Sequence, residues 1–291
     1  MTDRVSLKRA IKGIPGRRVE GMKDFWKLSP DIDVAASVDD LESEPALAAN
    51  LRIESGSSKE IEYSNLYKEI VAASGIRVLC KAFETVEAFR CCDARGASST
   101  AAVTSYNAAY FSARAFCLLM GVSQLSRESV WTVSISPGEN LSLRRGKRNQ
   151  SVTLEEPNTA RLHRLGRWSH DTVWSVCDRL VRTLTVPDEL SDVLADLKRI
   201  KLQESSKSRN LFLYDDRSLV PWKGDWQADF SDYPSFVEKS ILNEDAPGTA
   251  REHMHITTLL VRMCMFLIEE SPLNDSFNLY TSVDRRGEMA I

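Results

Sequence analysis

Apolar residues recur at helical spacing along most of this chain, and the most regular stretch runs from Ser105 to Gly121. Tyr106, Tyr110, Phe116, Cys117 and Met120 supply bulk at intervals of three or four, while Ala109, Ala113 and Ala115 leave room for a close neighbour. Spacing of i, i+3/i+4, i+7 is that of an amphipathic helix, and Gly121 stands where a left-handed C-terminal cap is wanted. Upstream, Ser57-Ser-Lys-Glu60 has the form of a capping box. Leu66, Ile70, Val71, Val78, Leu79, Phe83, Val86 and Phe89 then predict one long helix from about Ser58 to Cys92, with Gly75 an interruption of modest cost. The turn Arg95–Thr100 is short enough to make these two helices antiparallel neighbours.

Between residues 129 and 156 the period falls to two. Trp131, Val133 and Ile135 alternate with polar residues, Pro137-Gly-Glu-Asn140 marks a turn, and Leu141, Leu143, Val152 and Leu154 follow. This pattern predicts a small β-ribbon inserted between helices. Helical spacing resumes at about Asn158 with Leu162, Leu165, Trp168, Val173, Val176, Leu180 and Val181. Another helix opens at Pro187-Asp-Glu-Leu190, with proline near its start and acids in its first turn. A last one spans Gly248 to Glu270 through Ile256, Leu259, Leu260, Met263 and Leu267. The expected fold class is therefore mainly α: an antiparallel helical bundle with a β-ribbon insertion. Residues 1–57 are expected to form an N-terminal arm that docks through Phe25, Trp26 and Leu28. Residues 58–270 form the helical domain, including the 129–156 insertion and an aromatic-rich loop segment at 216–246, and 271–291 form a C-terminal tail.

Composition narrows the function classes. A length of 291 residues suits one enlarged domain, and a formal net charge of −3 argues against a nucleic-acid binder that works by bulk positive charge. No apolar run reaches the roughly 18–20 residues a membrane helix needs, and no apolar region follows the basic N-terminus, so no secretory signal is read. The six cysteines fall mostly at apolar positions of predicted helices and form no Cys-x-x-Cys pair. Buried thiols in a reducing, cytoplasmic compartment are expected, without a zinc site, metal or other cofactor.

The order of elements is long helix, short turn, a helix carrying Asn107-Ala-Ala-Tyr-Phe-Ser-Ala-Arg114 and ending Leu118-Leu-Met-Gly121, then Arg209-Asn210 and Tyr214-Asp-Asp216 before a final apolar helix. This resembles the HEPN superfamily of helical bundles over about residues 60–270. The resemblance implies a metal-independent endoribonuclease of a bacterial toxin–antitoxin or anti-phage system, built as a homodimer or with a protein partner. It also implies a motif of arginine, often a polar residue, and histidine after four to six intervening positions. Arg209 matches the arginine and Asn210 the polar follower, but Tyr214, Asp215 and Asp216 occupy the positions open to histidine. Histidine suits the proton transfers of RNA cleavage near neutral pH, whereas tyrosine, with a pKa near 10, is a poorer base. The departure leaves two readings: an RNA-acting effector using Arg209, Asn210 and Tyr214, or a non-catalytic module that binds a nucleotide or a protein partner.

Other residues carry candidate chemistry. Arg144, Arg145, Lys147 and Arg148 form the densest basic cluster, either a solvated turn or a finger holding RNA phosphates, since closely spaced guanidinium groups suit phosphate oxygens. Arg164-Leu-Gly-Arg-Trp-Ser-His170 fits the arginine-to-histidine spacing literally, although so loose a rule yields such a match by chance and leucine follows the arginine. His253 and His255 are two residues apart, so they point about 200° apart on a helix and cannot share a metal from that helix alone; solvent-facing positions are expected. Trp222 and Trp226 are expected to pin their loop to the core rather than to stack bases.

Overall fold

The computed structural model describes residues 11, 12, 14, 16–27, 58–62, 65–94, 98–124, 130–134, 140–145, 148–153, 159–164, 169–205, 248–269 and 271–278. They are mainly helical. Helix α1 (Val19–Lys27) precedes strand β1 (Ser58–Glu62), and helices α2 (Asn65–Ala94) and α3 (Ser98–Leu119) form an antiparallel pair. Strands β2 (Val122–Gln124), β3 (Val130–Ser134), β4 (Asn140–Arg145), β5 (Arg148–Thr153) and β6 (Thr159–Arg164) follow. Helices α4 (His170–Thr183), α5 (Ser191–Arg199) and α6 (Gly248–Glu269) complete the described body, with short 3₁₀ turns at Asp188–Leu190 and Leu202–Glu204.

Helix α3 is the centre of the body, packed by α2, α6 and α4. Its small residues explain how three helices reach it. Ala101, Ala102, Ser105, Ala108, Ala109, Ser112, Ala113 and Ala115 are all buried, and short side chains let helix backbones approach closely. Ser105 and Ser112 donate their hydroxyls back to the carbonyls of Ala102 and Ala108 at 2.9 Å, which satisfies buried polar groups without a partner helix. Gly75 is part of the same fit. A Cβ there would stand 3.0 Å from Leu119 Cδ2 and 3.2 Å from Leu119 Cγ, so its glycine keeps α2 against α3 rather than merely weakening α2.

The C-terminus of α3 is closed by residues remote in sequence. Gly121 has φ of 71°, the left-handed conformation glycine adopts most easily, and its N–H donates to Leu118 O at 2.8 Å. Trp26 Nε1 donates to Leu119 O at 3.0 Å, and buried Arg17 donates through Nη1 to Met120 O. A cation and an indole N–H therefore meet the negative end of the helix dipole. Val19, Met22, Phe25 and Trp26 are fully buried, each contributing roughly 1.5–3 kcal/mol. The backbone of the same segment pairs with the chain after α4, where Thr185 N–H donates to Arg17 O at 2.8 Å and Val19 N–H to Thr185 O at 3.0 Å. Leu28 lies outside the described residues.

Two predicted helix starts give way to strands. The capping-box pattern at Ser57–Glu60 does not open a helix; Ser58–Glu62 pairs antiparallel with β6, from Ser58 opposite His163 to Glu62 opposite Thr159. Nor does helix resume at Asn158. Strand β6 lies between β1 and β3 in a sheet ordered β1-β6-β3-β2, so its backbone groups bond on both edges. Pairing partners on both sides outweigh a weak local helical spacing, and helix begins only at His170. There Ser169 caps it, accepting from Thr172 N–H at 3.3 Å. The β structure is consequently wider than the predicted ribbon at 129–156, drawing in β1, β2 and β6, while β4 and β5 form a separate hairpin.

Candidate functional site

Two helices set four rings against one another by the same spacing. On α3, Tyr106 and Tyr110 are four residues apart and share a face; on α4, His170 and Trp174 do the same. Where α3 and α4 pack, the hydroxyl of Tyr106 lies 2.9 Å from His170 Nδ1, and Trp174 Nε1 donates to the Tyr106 oxygen at 3.3 Å. The His170 ring stacks on Tyr110 at 4.0 Å between centroids, with 18° between planes. From α6, His253 meets Tyr106 edge-on at 5.4 Å. Tyr106 and Trp174 are fully buried, His253 is 1% exposed and Tyr110 is 6% exposed, whereas His170 is only partly buried. Of these five side chains, His170 is the one that carries the network to the surface.

Burial sets the chemistry of the neighbouring groups. His253 has its pKa lowered to about 4 by desolvation, because an uncharged imidazole is cheaper to bury than a cation. It is therefore neutral near pH 7 and is not the solvent-facing residue the sequence suggested. Cys117, Cys177 and Cys264 come from α3, α4 and α6 and are buried. The Cys177 thiol is pushed well up by a hydrogen bond with Cys117 and by burial, and burial likewise raises Cys264. Thiols held protonated in this way are poor nucleophiles. Asp178 is buried on α4, yet its Oδ2 accepts from Arg182 Nε at 2.8 Å and from Gln203 Nε2 at 2.7 Å, an arrangement that anchors the turn after α5. Among the described residues, no group of three or more His, Cys, Asp or Glu could hold a metal ion, and no helix is long and apolar enough to cross a membrane.

The residues singled out in the sequence are distributed unevenly. Arg209, Asn210 and Tyr214 lie outside the described residues, as do Lys147, Trp222 and Trp226. Arg144 and Arg145 end β4 and Arg148 opens β5, with Arg145 opposite Arg148 and Arg144 opposite Asn149 across the hairpin. That register gathers the three arginines at one end of the ribbon. Arg164 closes β6, opposite Val130, six positions before His170 opens α4. Two residues of the network escaped sequence reasoning as candidates, Trp174 and His253. Their signal was the apolar stripe: Trp174 is three residues before Cys177, and His253 is three before Ile256 and seven before Leu260. No protein-family model, no curated protein and no solved structure matches the chain.

Proposed function

We propose that this protein is a HEPN-like effector that acts on RNA without a metal ion, of the kind found in bacterial toxin–antitoxin and anti-phage systems. In this reading His170 of α4 faces the scissile phosphate in the place of the motif histidine missing after Arg209. The observation that supports it is the partly exposed His170 ring at the start of α4, held from behind by Tyr106 and stacked on Tyr110. A ring positioned on rigid helices is what catalysis by placement requires. Its position at a helix N-terminus also favours a negatively charged ligand. Arg209 and Asn210 are assigned to the same phosphate and Tyr214 to orientation, while Arg144, Arg145, Lys147 and Arg148 hold the RNA backbone. The active form is a homodimer, as the family resemblance implies.

The test is cleavage of a mixed-sequence, end-labelled single-stranded RNA and of bulk transfer RNA, in the presence of a chelator. Wild type is expected to cut, and His170→Ala to lose at least about 100-fold, the scale of one positioned proton-transfer or donor group. Arg209→Ala is expected to lose activity as well. The second reading, a non-catalytic module that binds a nucleotide or a protein partner, is favoured by the complete burial of Tyr106 and Trp174, since a buried ring cluster can serve the bundle alone. Inactive wild type at high enzyme concentration would select that reading.

A further inference from the structure

We infer that Tyr106 and Trp174 are positioning residues that fix His170 as a neutral ring with its proton on Nε2, so that His170 donates a hydrogen bond to the RNA phosphate instead of taking a proton from the 2′-hydroxyl. This rests on the reading of His170 as the phosphate-facing residue.

The direction of the chain follows from donor and acceptor inventory. An indole N–H can only donate, so Trp174 Nε1, at 3.3 Å, uses the Tyr106 oxygen as its acceptor. The Tyr106 hydroxyl is fully buried, where leaving its own proton unpaired would cost about 1–3 kcal/mol. His170 Nδ1, at 2.9 Å, is a strong acceptor within reach of that proton. With Nδ1 accepting, a neutral imidazole carries its hydrogen on Nε2. Protonating Nδ1 would turn a second donor onto the Tyr106 oxygen, so the same geometry disfavours the imidazolium. Tyr110, stacked at 4.0 Å, keeps the ring from turning to exchange its nitrogens, because a flip would have to break the stack as well as the hydrogen bond.

The consequence is a division of labour. A ring whose outward nitrogen already bears hydrogen cannot accept the 2′-hydroxyl proton through that atom. It can donate to a non-bridging phosphate oxygen, where negative charge grows as the 2′-oxygen attacks phosphorus and the 5′-oxygen leaves. The base that accepts the 2′-hydroxyl proton is then a different group.

Two measurements decide this. In the folded full-length chain, nitrogen-detected NMR of imidazole-labelled protein is expected to show a single neutral tautomer for His170, unprotonated at Nδ1. Its Nδ1 should couple to the Tyr106 hydroxyl proton, and that coupling should vanish in Tyr106→Phe. A proton on Nδ1 in wild type would overturn the inference whether or not RNA is cut. The second measurement compares His170→Gln with His170→Ala on the RNA used above. The glutamine amide offers an N–H donor near the position of Nε2, so Gln is expected to recover at least tenfold of the activity Ala loses. Equal loss in both variants would overturn the donor role while leaving His170 as the phosphate-facing residue, whereas full activity in His170→Ala would overturn that reading itself. Circular dichroism melts of each variant separate a folding loss from a chemical one. Tyr106→Phe is expected to keep the fold and lose activity, and Trp174→Phe to weaken the Tyr106–His170 coupling by the same route.

Discussion

Acid should destabilise this protein through one residue, His253, and the size of the effect follows from its burial. Its folded pKa is lowered from the ordinary 6.5 to about 4, and the cause is desolvation at a position 1% exposed. The unfolded chain therefore takes up a proton near pH 6.5 that the folded chain refuses until about pH 4. In that window the unfolded state binds more protons, so stability rises with pH. The contribution is fully present above about pH 6.5 and is lost progressively as the pH falls to about 4. A gap of about 2.5 pH units at 1.36 kcal/mol each makes the total about 3 kcal/mol, of which about 2 kcal/mol is lost between pH 7 and pH 5. Other groups titrate in the same range. Glu87, for instance, has its carboxyl pKa raised by burial, with Arg90 pulling the other way, so its contribution has the opposite sign. Replacing His253 separates these effects. Urea unfolding of wild type and His253→Gln at pH 7 and pH 5 is expected to show wild type losing about 2 kcal/mol more than the variant, at equal m-values. Equal losses in the two proteins would refute the reasoning. Should His253→Gln fold poorly, the His253 ring resonance in wild type decides the matter, since it must remain unprotonated at pH 5.

The other predictions concern packing around α3. Gly75→Val should destabilise by about 1–3 kcal/mol in chemical denaturation, because the new methyl groups would meet Leu119 where a bare Cβ already stands 3.0 Å away; a neutral or stabilising result would show that α2 and α3 can separate freely. Trp26→Phe should cost about 1–3 kcal/mol through the buried Leu119 carbonyl left without its indole donor. Unchanged stability would mean that another donor closes the end of α3.

The long helices were legible because their order is local. In α2, α3 and α6 the apolar spacing and the glycine at 121 are decided by neighbours within one or two turns, and the expected final helix, 248–270, meets the observed Gly248–Glu269. Strands β1 and β6 were not legible, since Ser58–Glu62 is a strand only by virtue of a partner about a hundred residues later. A capping box says what a helix start would look like, not whether a sheet edge competes for the same backbone. The network was half legible. Tyr106 and Tyr110 stood out by bulk, and His170 by spacing after an arginine, but no local pattern says that α3 and α4 face each other there. His253 was misread because its separation from His255 drew attention away from its place on the stripe of Ile256, Leu260 and Met263.

The attachment of the first described residues has a consequence for how the chain is made. Trp26 waits for Leu119, which is 93 residues later, and Arg17 for Met120, 103 later; Arg179, which donates to Ile14 O at 3.3 Å, is 165 residues away. At ribosomal speeds of about 5–20 residues per second, the segment spends roughly ten seconds or more before its last partners emerge. Throughout that interval Val19, Met22, Phe25 and Trp26 have no native surface to cover them. A chain begun at residue 58 would have the opposite deficiency: the carbonyls ending α3 would lose both remote donors, and the core surface under α1 would be bared to water and to other chains. Shortened forms of the protein that keep every helix from α2 onward are thus expected to aggregate as they are synthesised.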